Sequence, residues 1–392
     1  MFRKARIQTL VRKVQKYMKA AHSKAQAGFN QEEPEDWSKY INAFTQFIIK
    51  NLDENQLKVL LKSLENKGGI HTDCLILPRE NDIVNRIGLS SVHVLFCKVL
   101  RWPDLISISE LKAFINCQNY NVSTRCGNPF HYSRITKQGI QKSLEENSRD
   151  QAMEKQPQKE ISARFSDDGF SEQEEGEQEN EDDRKANAGC SDSQFSSGFQ
   201  TRQNSDVTTA STYEPWCSIA YWEVKRRIGR VFDVTTDCVN VFYELPQGDG
   251  MCIGLLDHVE RSAYVNKVRK HIGYGFQLTQ EHDGIWIYNR SDYCIFVSAP
   301  AFDSETGIQP IVVKPEVIRV PPGYCVHAVD FRRPVHLLRR NRKFDHSVDV
   351  FCIRVSFAKG WGDNYTRQYI TACPCWTEIY LREPFLAVMG LI

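Results

Sequence analysis

Three cysteines and one histidine in the first third of the chain have the residue types that could hold a metal ion. Cys126 and His131 stand in the segment CGNPFH with four residues between them, and Cys74 and Cys117 precede them. Three thiolates and one imidazole form the tetrahedral donor set that Zn²⁺ accepts at a closed structural site. Because the chain has thirteen cysteines, buried thiols beside a surface histidine are the alternative that the residues alone leave open.

No arrangement typical of catalysis accompanies these residues. The CPC segment from Cys373 to Cys375 is neither a redox CxxC pair nor a nucleophile with a recognisable base. The sequence also lacks a Walker loop, a GxGxxG after a strand, HExxH and GxSxG. We therefore expect a protein that is not an enzyme.

Length and charge indicate a protein of two or three domains with polarised segments. The chain has 392 residues, 50 basic and 49 acidic, so the net charge averages over segments that must be considered separately. No apolar run reaches the ~18 residues that span a bilayer. The opening MFRKARIQTLVRKVQK also lacks the apolar segment of a secretion signal. We expect a protein of the cytoplasm and nucleus with reduced thiols.

The first part of the chain is predicted to be a basic arm, residues 1–35, followed by a domain over residues 36–140. The arm has no acidic residue before Glu32, and its apolar residues recur at roughly helical spacing. It is therefore either a disordered arm with a nuclear address or an amphipathic helix on an anionic surface or partner.

Two helices and several short strands are predicted to build the first domain. Apolar stripes at helical spacing predict helices over Trp37–Lys50 and Asp53–Asn66. The apolar runs CLIL at Cys74 and VHVLFCKVL at Val92 predict short buried strands.

A linker and a mainly β domain are predicted to follow. Residues 141–214 have few large aliphatic side chains and many Ser, Gln, Glu and Asp, which predicts a disordered acidic linker. Residues 215–392 alternate in the manner of strands, with one helix expected over Val259–His271. The basic run FRRPVHLLRRNRKF is interpreted as a solvated loop or a wider basic face. The predicted fold class is α+β.

Several motifs resemble one family of signalling proteins. The segments GGIHTDCLILP, LFCKVLRWPDL and CGNPFHYSR resemble the Mad-homology 1 domain of Smad proteins. The segments WCSIAYWE, FYELPQG, GIWIYNRS, SFAKGWGDNYTRQ and CPCWTEI resemble the Mad-homology 2 domain. The opening MFRKARIQTLVRK, WCSIAYWE and CPCWTEI are most similar to the inhibitory branch. The resemblance implies a small zinc-stapled α+β domain, then a β-sandwich with flanking helices and loops.

The resemblance assigns two sets of site residues. Cys74, Cys117, Cys126 and His131 fall on the zinc ligands, although the loop between Cys117 and Cys126 is shorter than is usual in the family. A basic groove for a phosphorylated type I receptor of the TGF-β/BMP class would comprise Lys267, Arg269, Lys270, Lys359 and Arg367. Arg and Lys suit phosphate oxygens, whereas solvated surface charges are the alternative. His271 stands where the family often has Lys.

The carboxy-terminal stretch and the linker differ from other Smads in what they offer to partners. No serine follows Ser356, so we expect no Ser-Ser-x-Ser acceptor for the receptor kinase and inhibition by occupying the receptor. Other Smad proteins are further expected partners. Inhibitory Smads often recruit a ubiquitin ligase through Pro-Pro-x-Tyr, and this linker lacks that motif.

DNA binding is not expected from the residues where Smads carry a base-reading hairpin. The corresponding stretch lies between Pro78 and Val92, with Asp82, Val84 and Leu89 at or near the three contact positions. Because the stretch mixes acidic with basic residues, it offers little phosphate neutralisation and no evident base-reading set. The alternative function is a nuclear Smad-type DNA-binding transcriptional co-regulator.

Overall fold

A computed structural model describes residues 2–28, 37–117, 123–136, 214–246, 248–257, 260–299, 317–331 and 352–382. The predicted linker lies outside the described residues, apart from residue 214. So do nearly all of FRRPVHLLRRNRKF and the end of the chain from residue 383. The interpretations of those segments stay predictions.

The basic amino-terminal segment forms a helix, α1, over Phe2–Gly28. Its side chains Val14 and Met18 are buried in the core of the first domain, while Arg12 and Lys16 are exposed. The predicted helix is present, but it packs on the first domain of the same chain rather than on an anionic surface or partner, and the disordered arm is wrong for these residues. Burying the apolar stripe of α1 against the first domain removes these side chains from water, which stabilises the packing of the helix.

The two predicted helices of the first domain are present with nearly the predicted bounds. α2 spans Trp37–Asn51 and α3 spans Glu54–Asn66. Asp53 caps α3, because its side chain accepts a hydrogen bond from the Gln56 N–H while the Gln56 side chain accepts one from the Asp53 N–H. This reciprocal cap satisfies two donors that a helix start leaves without partners.

Short elements complete the first domain. The strands are β1 (Ile76–Pro78), β2 (Leu111–Ala113), β3 (Thr124–Cys126) and β4 (Tyr132–Ile135), and the helices are α4 (Asp82–Asn85) and α5 (Val92–Leu100). β1 pairs antiparallel with β3. The strand predicted at CLIL is thus present, but it begins at Ile76 rather than at Cys74.

The segment VHVLFCKVL is the helix α5, so the predicted strand is wrong. All nine of its residues are buried, including His93 and Lys98. Phe96 packs edge-on against Phe44 and Phe47 of α2, with ring centroids 4.9 and 5.7 Å apart. A helix covered on every side has no polar stripe, and periodicity alone cannot separate it from a buried strand.

The second half of the chain is mainly β, as predicted. Its strands are β5 (Cys217–Glu223), β6 (Arg226–Val234), β7 (Cys238–Phe242), β8 (Gly250–Cys252), β9 (Phe276–Glu281), β10 (Gly284–Asn289), β11 (Ile295–Ser298), β12 (Ile318–Val320), β13 (Tyr324–Asp330), β14 (Cys352–Phe357) and β15 (Trp376–Leu381). Among the described residues one sheet has the order β2-β4-β13-β10-β9-β7-β8 and another the order β12-β11-β14-β15-β5-β6. Phe276 of the first sheet stacks on Phe357 of the second within a shared core, with centroids 5.7 Å apart.

The helix of the second domain, α6, spans Ala263–Ile272. It begins later than the predicted Val259 because Ser262 caps it, its Oγ accepting a hydrogen bond from the Val265 N–H at 3.2 Å. Gly273 follows with a φ of 50°, a positive value that glycine adopts easily because it has no Cβ.

The two domains share a sheet, which the sequence analysis does not predict. β4 of the first domain pairs in parallel with β13 of the second, and the Arg134 N–H donates to the Gly323 carbonyl at 3.1 Å. The Arg134 guanidinium is buried and donates to Glu110 at 2.5 Å and to the Tyr324 hydroxyl at 3.0 Å. The strand pairing and the hydrogen bonds to Gly323 and Tyr324 join the domains directly.

Candidate metal centre and basic surface

The four predicted metal ligands converge at one place in the first domain. The Cys74 Sγ lies 3.9 Å from the Cys117 Sγ and 3.5 Å from the His131 Nδ1, and the Cys126 Sγ lies 3.4 Å from the same nitrogen. All four ligand atoms are within 4.8 Å of one another. Zinc bonds of about 2.0–2.3 Å in a tetrahedron place ligand atoms roughly 3.6–3.8 Å apart, so this donor set fits Zn²⁺.

The orientation of His131 suits metal binding. Its Nε2 lies 3.0 Å from the Thr72 carbonyl oxygen. Since a carbonyl only accepts hydrogen bonds, Nε2 must carry the proton, and the Nδ1 lone pair is left facing the sulfur atoms. Thr72 was not predicted, because it contributes a backbone carbonyl that its residue type does not reveal. Its place in GGIHTDC, two residues before Cys74, is the only signal.

The sulfur atoms are held close together in the protein interior. The pKa of the Cys126 thiol lies well above its ordinary value because of the hydrogen bond with Cys117, burial and the neighbouring Cys74. The Asn128 N–H also donates to the Cys126 Sγ at 3.4 Å. A bound Zn²⁺ would replace the thiol protons and offset the crowding of thiolates. The centre is therefore compatible with structural zinc.

Cations from two separate segments lie along α6. The charges of Lys267 and Lys359, after the larger effect of burial, lower the pKa of His271 below its ordinary value. Arg367 donates from Nη2 to the Tyr264 hydroxyl in the first turn of α6 at 2.8 Å. The glycine-rich loop from residue 358 to residue 367 therefore lies along the helix that carries Lys267.

The loop that carries Lys359 and Arg367 is held by its own hydrogen bonds. The Gly362 N–H donates to the Arg367 carbonyl at 2.8 Å, and the Ser356 Oγ donates to the Lys359 carbonyl at 2.7 Å. Gly362 has a φ of 96°, which L side chains rarely adopt. We call Lys267, Lys270, His271, Lys359 and Arg367 the basic surface. Tyr264 is the contact that the sequence analysis misses.

Arg269, predicted to bind phosphate, does not belong to the basic surface. Its side chain is buried, and Nη2 donates to the Ile253 carbonyl at 2.7 Å and to the Leu256 carbonyl at 3.0 Å. Lys270, the next residue, is exposed. Because successive helix residues point about 100° apart, Arg269 faces the protein interior while Lys270 faces solvent.

The stretch expected to replace a DNA-reading hairpin contains a helix. Residues 79–91 are all described and include α4, in which Val84 is buried, and no strand. Asn81 caps α4, its side chain accepting a hydrogen bond from the Ile83 N–H at 3.0 Å. Asp82, one of the three counted positions, adds a negative charge to the first turn.

Comparisons with known proteins place these features in a family. The MH1 domain model matches residues 41–136 and the MH2 domain model matches residues 214–382. Mothers against decapentaplegic homolog 7 of Mus musculus is 36% identical over 371 residues, covering 86% of this chain and 78% of that protein. Homolog 6 of Gallus gallus is 35% identical over 350 residues, covering 87% of this chain and 75% of that protein. The chain belongs to the inhibitory Smad family.

This family membership confirms the resemblance drawn from the motifs and the α+β fold class with its two domains. Smad proteins are signalling adaptors or transcription regulators rather than enzymes. The similarity to homologs 7 and 6 supports a role of this Smad in TGF-β/BMP signalling. Within the described residues, no helix combines the length and the apolar character that crossing a membrane requires.

Proposed function

We propose that this inhibitory Smad antagonises TGF-β/BMP-family signalling by occupying the activated type I receptor kinase through the basic surface. The observation that supports the proposal is the approach of the loop bearing Lys359 and Arg367 to the helix bearing Lys267. A phosphorylated serine or threonine carries about two negative charges. Several cations from separate segments could therefore bind a phosphorylated receptor segment together.

The residues of the basic surface differ in what they would contribute. The Arg367 guanidinium can fork to two phosphate oxygens, whereas Lys267 and Lys359 supply point charges. The carboxylate of Asp363 lies in the same loop and would oppose an anion. Arg269 is excluded from this role, because its guanidinium is engaged by Glu223 and by backbone carbonyls.

Inhibition follows if the receptor is occupied without transfer of phosphate to the carboxy-terminal stretch. Residues 357–392 contain no serine, so they offer no Ser-Ser-x-Ser acceptor. A bound inhibitory Smad would then exclude substrate Smads by competition for one site.

The proposed function also includes a structural zinc ion and further protein partners. Zn²⁺ held by Cys74, Cys117, Cys126 and His131 would stabilise the first domain and supply no catalytic chemistry. Other Smad proteins would pair with the β-sandwich, and the protein would act in the cytoplasm and nucleus. Recruitment of a ubiquitin ligase would need a route other than a Pro-Pro-x-Tyr motif in the linker.

The test is binding of the full chain to the receptor segment beside the membrane, in phosphorylated and unphosphorylated forms. We expect the phosphorylated peptide to bind more tightly and the double variant Lys359→Glu/Arg367→Glu to lose that preference. The matched control is Arg227→Glu/Arg230→Glu, which makes the same charge change at exposed positions of β6 in the same domain. Equal affinity of the wild-type chain for both peptides would refute the proposal.

A further inference from the structure

A turn of the second domain, Arg290–Tyr293, lies against the end of α6. The Ser291 Oγ donates to the His271 carbonyl at 2.9 Å. The rings of Tyr293 and His271 stack with centroids 4.1 Å apart and planes 20° apart. The turn therefore forms one border of the basic surface.

The same turn is contacted from its other side by the first domain. Arg290 donates from Nη1 to the Asn240 Oδ1 at 2.8 Å and from Nη2 to the Gly68 carbonyl of the first domain. Burial lowers the pKa of the Arg290 guanidinium below its ordinary value. A buried guanidinium that loses an acceptor is costly, so the Gly68 carbonyl stabilises the position of the turn.

The contact between the domains is close and leaves little room for adjustment. Lys67 ends α3 in the left-handed conformation, with a φ of 47°, and this sharp bend carries Gly68 and Gly69 toward the second domain. A Cβ added at Gly69 would lie 2.5 Å from the Tyr274 ring. The first domain thus meets the second beside Gly273, where α6 ends.

Lys67 also brings a positive charge to the turn. Its Nζ lies 3.3 Å from the Asp292 Oδ1, and both side chains are more than half exposed. Asp292 is adjacent to Tyr293, which stacks on His271 of the basic surface. Without Lys67, the Asp292 carboxylate would add a negative charge at the border of a surface proposed to bind phosphate.

We infer that the first domain positions the turn Arg290–Tyr293 at the border of the basic surface, with Lys67 neutralising Asp292 on that turn. This inference rests on the proposed function and adds Lys67 as a positioning residue. Lys67 acts through Asp292 rather than by touching the phosphorylated receptor segment.

The test uses the full chain and the phosphorylated receptor peptide. Lys67→Gln should weaken binding about twofold to fivefold, the range that an exposed ion pair allows. Asp292→Asn combined with Lys67→Gln should restore wild-type affinity, because the charge that Lys67 shields is then absent. Lys62→Gln, an exposed lysine on α3, is the matched control and should leave affinity unchanged.

A second readout needs no receptor peptide. Amide hydrogen exchange at residues 290–293 should be faster in Lys67→Gln than in the wild-type chain or in Lys62→Gln. Unchanged affinity and unchanged exchange in Lys67→Gln would overturn the inference. So would a double variant as weak as Lys67→Gln, since Lys67 would then act on the peptide directly. If the wild-type chain binds the phosphorylated and unphosphorylated peptides equally, the proposed function is refuted instead. The exchange measurement then still tests whether Lys67 stabilises the turn Arg290–Tyr293.

Discussion

The Arg269 Nε lies 3.2 Å from the Glu223 Oε1, and both side chains are buried. Arg261 approaches the same carboxylate, with its Nε 2.9 Å from Oε2. Two guanidinium groups thus share one carboxylate between α6 and β5. The consequence is that α6, which carries part of the basic surface, is attached to the sandwich by a buried ionic contact.

We predict that Arg269→Met destabilises the second domain, whereas Lys270→Met does not. Arg269→Met removes one of the two guanidinium groups at the buried Glu223 carboxylate and takes a hydrogen-bond donor from the Ile253 carbonyl, which costs about 1–3 kcal/mol, while an exposed substitution changes stability by about 0.5 kcal/mol or less. Urea denaturation followed by circular dichroism measures the difference. Equal unfolding midpoints for the two variants would show that Arg269 has no structural role.

The metal centre provides a second prediction. Cys126→Ser should reduce bound zinc from one equivalent to none and lower the stability of the first domain sharply, since structural zinc contributes on the order of 10 kcal/mol in small zinc domains. Cys97→Ser is the control, because Cys97 is fully buried in the same domain but lies outside the ligand cluster. Metal analysis of the purified full-length variants distinguishes the two. A folded wild-type chain that contains no zinc would contradict the assignment.

The buried histidine of α5 predicts a loss of stability in mild acid. Burial, with smaller contributions from Arg125 and Arg79, lowers the pKa of His93 to about 4. Below the ordinary pKa of about 6.5 the unfolded chain binds a proton that the folded chain excludes, so stability should fall as the pH decreases from about 6.5 to 4. The unfolding free energy lost over this range is at most about 3 kcal/mol, and at neutral pH there is no loss.

The measurement is the unfolding free energy of the wild-type chain and of His93→Gln at several pH values. His93→Gln should be less stable at pH 7, because the contact between His93 Nδ1 and Ser91 Oγ, 2.8 Å in the structure, is altered. Its disadvantage should shrink between pH 6.5 and pH 4. His282→Gln, at an exposed position, serves as the control. A constant difference between wild type and His93→Gln across this range would exclude His93 as the titrating group.

Local features of the chain were sufficient to predict several elements. The apolar stripes of α2 and α3 have the helical period, and the boundary of α3 depends on Asp53 and Gln56, which are close in sequence. The donor types of the metal centre were also evident, because thiols and imidazole suit zinc wherever the fold places them. The family motifs, rather than spacing, selected these four ligands from the other cysteines and histidines.

The sequence by itself determined residue types, hydrophobic periods and caps, because these depend on neighbours along the chain. Only the tertiary structure decided that α5 is covered on every side, that Arg269 turns inward to Glu223 while Lys270 stays exposed, and that Lys67 meets Asp292 across the domain boundary. Each of these outcomes depends on which surfaces pack together after folding. Burial and charge pairing between residues far apart in sequence leave no local pattern.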